Sequence, residues 1–161
     1  LTLSRLEKVD IDLEKLNGIE PKIIIDEVIE QYKILNPDVN YITNIDENIK
    51  VKIDPNDLKQ LLIIFIDNSI KYNDKNNIEI KINFKKVSNK MQLEVIDNGM
   101  GIPKEEINNV MKRFYKVDKS RLHNSSFGIG LSIANRIVKI YNGEIFISSE
   151  LGKYTKVTVN F

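Results

Sequence analysis

Apolar residues recur with a helical period in two stretches of the first half of the chain. Ile24, Ile25, Val28, Ile29 and Tyr32 form one stripe across 21–35, where Pro21 suits a first helical turn and Asn36-Pro37 stops the helix. A second helix is predicted over 56–72, entered through Asp54-Pro55. Its centre, from Leu61 to Ile66, is apolar on every side, so most of its faces must be buried. Strands are predicted at 77–87 and 90–96, the second alternating through Met91, Leu93 and Val95, with shorter ones at 40–45 and 50–53. Pro103 opens a short helix to about 112, and 113–127 carries no clear period and reads as a loop. A last helix over 128–141 ends at Asn142-Gly143, and strands near 144–149 and 155–161 close the pattern. Upstream, Leu1, Leu3 and Leu6 share one side of a segment too short to nucleate alone. It reads as the tail of a longer helix, joined by an extended linker over 9–20 that turns at Asn17-Gly18. Few strand–helix–strand spacings are tight, so a sheet covered by helices on one face is favoured.

Composition narrows the chemistry. With 42% hydrophobic residues, the 161-residue chain can bury a real core. Its 24 Lys and Arg nearly balance 23 Asp and Glu, so no single-sign field draws it to nucleic acid or an anionic membrane. The absence of Cys excludes disulfides, thiol catalysis and Cys-ligated zinc. No apolar run approaches the roughly 18 residues of a membrane span, and the first residues lack a signal-peptide pattern.

Four segments carry candidate chemistry. At the end of the buried helix, Asn68, Lys71 and Tyr72 share one helical edge. An amide oxygen can ligate a hard cation, an ammonium can answer phosphate, and a phenol ring can lie against a purine; the plain alternative is a helix that turns polar as it emerges. Directly after a strand comes Asp97-Asn98-Gly99-Met100-Gly101-Ile102. Its glycines permit close backbone approach to a ligand, and a carboxylate at the strand end can accept the amino hydrogens of adenine but would be left unpaired by guanine. An ordinary turn is the alternative. The loop 113–127 places Arg113, Lys116, Lys119 and Arg121 against the single acid Asp118, which suits either a lid over a nucleotide or a solvated surface. Phe127-Gly128-Ile129-Gly130-Leu131 opens the last helix, where free amides and glycines make a phosphate seat or merely a close contact.

In this order the four segments resemble the catalytic, ATP-binding domain of bacterial sensor histidine kinases, within the superfamily shared with gyrase, Hsp90 and MutL. Residues 67–72 match the N box, 97–102 the first glycine box, 113–121 the F box and 128–134 the second glycine box. The resemblance implies an α/β fold, the Bergerat two-layer sandwich: a mixed sheet of about five strands, three helices on one face and a mobile ATP lid. It divides the chain into a dimerisation-helix stub over 1–8, a linker over 9–20 and an ATP-binding catalytic domain over 21–161. By position it implies that Asn68 ligates Mg²⁺, Lys71 meets the phosphates and Tyr72 packs by the base. Asp97 would take the adenine amino group, with Gly99, Gly101 and Ile102 shaping that wall. Tyr115, Lys116 and Arg121 would belong to the lid, with Lys116 near the γ-phosphate. Gly128, Gly130 and Leu131 would hold the triphosphate, and Thr155 would line the adenine pocket. The partners implied are ATP, the phosphoacceptor domain of a homodimeric parent and a response regulator, with the domain cytoplasmic and the parent membrane-anchored.

Departures from the family pattern matter. Position 64 is Ile, where hydrolytic relatives place a water-activating Glu and many histidine kinases an Asn, so a gyrase-like or nucleic-acid-linked ATPase is disfavoured. Met111 replaces a Phe, Lys116 gives up the forked contact of the more usual Arg, and Ser125-Ser126 stand where glycines are customary. The single histidine, His123, lies in the lid loop without the neighbours of a phosphoacceptor motif, so the chain should bind ATP but not complete phosphotransfer alone. A nucleotide-binding pseudokinase and an anti-sigma serine kinase of the same superfamily are the alternative readings.

Overall fold

The computed structural model describes residues 11–112 and 129–161. In chain order these form α1 (Pro21–Leu35), β1 (Asn40–Ile45), α2 (Pro55–Lys71), β2 (Glu79–Val87), β3 (Lys90–Asp97), α3 (Gly130–Ile140), β4 (Glu144–Glu150) and β5 (Tyr154–Asn160), with short 3₁₀ turns at Leu13–Lys15 and Lys104–Glu106. The expected helical stub over 1–8 and lid over 113–127 lie outside the described residues.

The strands make one five-stranded sheet in the order β1-β2-β3-β5-β4. β1 runs parallel to β2 and the other neighbours are antiparallel, so the sheet is mixed. Strand alternation sends Ile80, Ile82 and Phe84 of β2, Leu93 and Val95 of β3, and Val157 and Val159 of β5 into a core they share with the buried stripes of the three helices. The all-round apolar centre of α2 explains its place: Leu58, Leu61, Leu62, Phe65 and Ile66 are fully or almost fully buried. Removing that much apolar surface from water, at about 25 cal/mol per Å², is the main term holding the layers together. Asp54 caps the entry of α2 by accepting the Asn56 amide at 2.8 Å, as Asp-Pro predicts.

The opposite sheet face is polar and internally paired. The Asn83 amide donates to Glu94 Oε2 at 3.1 Å, and Lys85 and Lys156 flank the same carboxylate at 3.5 and 3.9 Å.

The structure corrects three local expectations. Residues 50–53 form no strand; Val51 instead exchanges both backbone hydrogen bonds with Ile19, each 2.9 Å, as an isolated bridge. The segment is used up by the linker and by the start of α2 before a ladder can grow. The helix expected from Pro103 to 112 is only a 3₁₀ turn followed by further turns, because Asn108 and Asn109 favour turns over a helix interior. The strand expected from residue 77 begins at Glu79, where the Asn98 side chain accepts the Glu79 amide and donates to the Asn77 carbonyl, both at 2.9 Å.

Candidate functional site

Four elements meet beside the C-terminal end of α2. The helix ends at Lys71, with the Tyr72 amide donating to the Asn68 carbonyl at 3.0 Å. Asn68 is half-buried and, among the described residues, its side chain has no hydrogen-bond partner. The Lys71 ammonium lies 5.1 Å from the centre of the Tyr72 ring, which is 42% exposed. Three groups of the kind that bind cation, phosphate and base therefore stand on one helical edge, as their spacing predicts.

Asp97 ends β3 on the core side, because it keeps the parity of Leu93 and Val95. It is one of the few buried charged residues, and burial pushes its carboxyl above the ordinary value of 3.8. Three donors oppose that rise: the Gly99 amide at 2.8 Å, the Ser69 hydroxyl and the Thr155 amide. Thr155 reaches it because β5 pairs with β3 in the register Asp97↔Thr155. Ser69 reaches it because α2 lies across β3, and it is itself buried. Neither partner was singled out for Asp97 in the sequence. The available signal was Ser69 itself, a lone hydroxyl on the buried side of an apolar helix, which requires a partner.

The loop after β3 is pressed between α2 and the β4–β5 hairpin. A Cβ on Gly99 would lie 2.7 Å from the Tyr72 carbonyl. Gly101 has φ +69°, and a Cβ there would meet the Glu150 carbonyl at 2.2 Å, so only glycine satisfies both the dihedral and the space. The Met100 amide donates to the Tyr72 carbonyl at 3.0 Å and the Gly152 amide to the Met100 carbonyl at 2.7 Å. Ser149 was likewise missed: its hydroxyl accepts the Ile102 amide at 2.8 Å, donates to the Tyr154 carbonyl at 2.6 Å and lies 3.2 Å from the Thr155 hydroxyl. Tyr72, Gly99, Gly101, Ile102 and Thr155 are thereby tied into one wall around Asp97.

On the far side, α3 begins at Gly130 and Leu131, two residues later than expected, and no side chain caps its first turn among the described residues. Ile64 faces this end: its Cγ2 lies 3.3 Å from where a Cβ on Gly130 would sit. Ile64 thus leaves no general base at that position, one helical turn before Asn68 and against the start of α3. Tyr115, Lys116, Arg121 and Gly128 lie outside the described residues.

Known proteins match this architecture. Residues 53–161 match the family described as histidine kinase-, DNA gyrase B- and HSP90-like ATPase. Over its whole length the chain is 36% identical to the signal transduction histidine-protein kinase ArlS of Staphylococcus haemolyticus, and spans 36% of that relative's length. The mycobacterial sensor histidine kinase MprB superposes with a TM-score of 0.77 at 18% identity, over 91% of this chain and 96% of the other. Full-length ShkA in complex with AMPPNP superposes with a TM-score of 0.79 at 18% identity, over 98% of this chain and 33% of the other. A buried carboxylate held over a glycine-shaped wall and this sequence kinship agree: the chain belongs to the histidine kinase-, DNA gyrase B- and HSP90-like ATPase family, and within it resembles the histidine kinase catalytic domains.

Proposed function

We propose that the domain holds Mg-ATP in this cleft and presents its γ-phosphoryl to a histidine on the dimerisation domain of the parent protein, from which a response regulator is then served. The observation that carries the reading is Asp97: a buried carboxylate at a strand end, supplied with three donors that oppose the rise in its pKa, suited to accept the amino group of adenine. Guanine would set an oxygen against that carboxylate and leave it unpaired, at a cost of about 1–3 kcal/mol or more. Gly99, Gly101, Ile102 and Thr155 shape the surrounding wall, and Tyr72 offers its exposed ring along the base.

On the phosphate side, Lys71 and the first amides of α3 at Gly130 and Leu131 hold the charged tail. The Asn68 amide, which has no partner among the described residues, fits the needs of Mg²⁺, which takes one or two protein oxygens beside the phosphates and waters. When bound, the ion neutralises charge on the transferring phosphoryl group. From the resemblance, Tyr115, Lys116, Arg121 and Gly128 complete the enclosure. Ile64 cannot deprotonate water, which favours transfer to a protein acceptor over hydrolysis. Positioning and charge neutralisation, not a nucleophile from this domain, are what phosphoryl transfer asks of these residues.

Calorimetric titration tests the reading. ATP should bind in a Mg²⁺-dependent manner, and GTP at least about tenfold more weakly. Equal affinity for the two nucleotides would remove Asp97 from its role.

A further inference from the structure

We infer that Tyr32 of α1 is a positioning residue for the phosphate-binding lysine: by holding Asp67, it prevents that carboxylate from capturing Lys71. The inference rests on the proposed phosphate role of Lys71 and deepens it.

Asp67 and Lys71 are four residues apart on α2, with the acid on the N-terminal side. That is the favoured geometry for an acid–base pair along a helix. Yet no such pair forms: among the described residues Lys71 has no ion pair, and its ammonium lies by the Tyr72 ring. The Asp67 carboxylate is engaged from the other side, where Tyr32 Oη donates to its Oδ1 at 2.5 Å. Tyr32 is 8% exposed and rooted in the core stripe of α1, so its hydroxyl is held in place by packing. The Tyr41 ring of β1 packs tilted against it, with centroids 6.5 Å apart, and the Tyr41 hydroxyl is buried without a hydrogen-bond partner among the described residues. Burial, then the hydrogen bond and charge of Asp67, raise the pKa of the Tyr32 hydroxyl, and burial, then the Asp67 charge, raise that of Tyr41. A hydrogen bond to an ionised acceptor is roughly twice as strong as a neutral one, while an exposed pair along a helix contributes only about 0.2–0.5 kcal/mol. The tyrosine wins the carboxylate, and the ammonium stays available for phosphate. The hydroxyl acts entirely through Asp67, from a helix that contributes none of the proposed ligand-binding groups.

The test measures affinity for ATP and for adenosine, which lacks the phosphates. Tyr32→Phe is combined with Tyr41→Phe so that the second hydroxyl cannot take over; both changes keep the rings. ATP affinity should fall about twofold, the fold-change that a helix pair of that strength can impose, while adenosine affinity stays unchanged. Adding Asp67→Asn should then restore ATP affinity, because no carboxylate remains to capture Lys71. Unchanged ATP affinity, an equal fall for adenosine, or a loss that Asp67→Asn does not repair would each overturn the inference. Lys71→Ala, measured in parallel, separates this from the reading beneath it. If that variant bound ATP as well as the parent, the phosphate role of Lys71 itself would fall.

Discussion

The two ends of α2 use the same pair of side chains to different ends. At its N-terminal end the Tyr141 hydroxyl donates to Asp57 and accepts the Asp54 amide at 3.2 Å. Tyr141 is 5% exposed, and its hydroxyl both donates and accepts beside the capped entry of α2. At the C-terminal end Tyr32 holds Asp67, but the next residues lack such closure: Asn68 has no side-chain partner among the described residues, Lys71 faces a ring, and Asp97 draws its donors from three elements. One end is a closed network that pins α3 to α2; the other holds polar groups in place while leaving them able to take a ligand. A tyrosine–aspartate bond is therefore not by its chemistry structural or functional. What stands beside it decides.

That contrast is open to direct attack. The largest effect is expected from Asn68→Ala, which should lower transfer of labelled phosphate to an added dimerisation domain by about a hundredfold or more, with the melting curve unchanged. Unchanged labelling would mean that the metal is held elsewhere, and the open end would lose its defining member. Next comes Tyr141→Phe at the closed end, which strands a half-buried amide and removes a carboxylate's donor. Chemical denaturation should show a loss of about 1–3 kcal/mol in unfolding free energy, with ATP affinity unaltered. A matching drop in affinity would erase the distinction between the ends.

The smallest effect sharpens the comparison through pH. Asp97 has a raised folded-state pKa, so it binds its proton more tightly in the fold than in the unfolded chain. The ligand-free fold therefore gains stability as pH falls through that pKa and loses it as pH rises. Adenine needs the ionised carboxylate, so ATP affinity should run the other way, present above the raised pKa and lost below it. Ser69→Ala removes a donor that lowers the pKa, so the acid-side loss should begin at a higher pH. Its affinity at neutral pH should fall about threefold to tenfold. An acid limb that does not move would detach Ser69 from the site.

Much of this was legible in the chain because the signals are local. The apolar girdle of Leu61 to Ile66 foretold the central helix, and Asp54-Pro55 its entry, to within a residue. The spacing of Asn68, Lys71 and Tyr72 foretold a shared edge. Where local pattern misled, a remote partner or a competing local preference had intervened. Residues 50–53 carry strand-like residues, but Val51 pairs with Ile19 of the linker in an isolated bridge. Residues 104–112 follow a helix-opening proline, but two asparagines favoured turns. Ser149 gave no local sign of its place, since it acts only because a hairpin tip lands on the glycine loop.

Hydrophobic period, turn residues and glycine spacing, which depend on neighbours a few positions apart, determined the order of elements and the identity of the polar edge. Only the tertiary structure decided that Ser69 and Thr155 would steady Asp97, and that Tyr32 rather than Lys71 would hold Asp67. Those pairings depend on sheet register and on how α1 and α2 lie together, and residues 32 and 67 carry no mark of each other in their own surroundings. Helical spacing alone would have paired Asp67 with Lys71; packing brought a buried hydroxyl closer, and the stronger hydrogen bond prevailed.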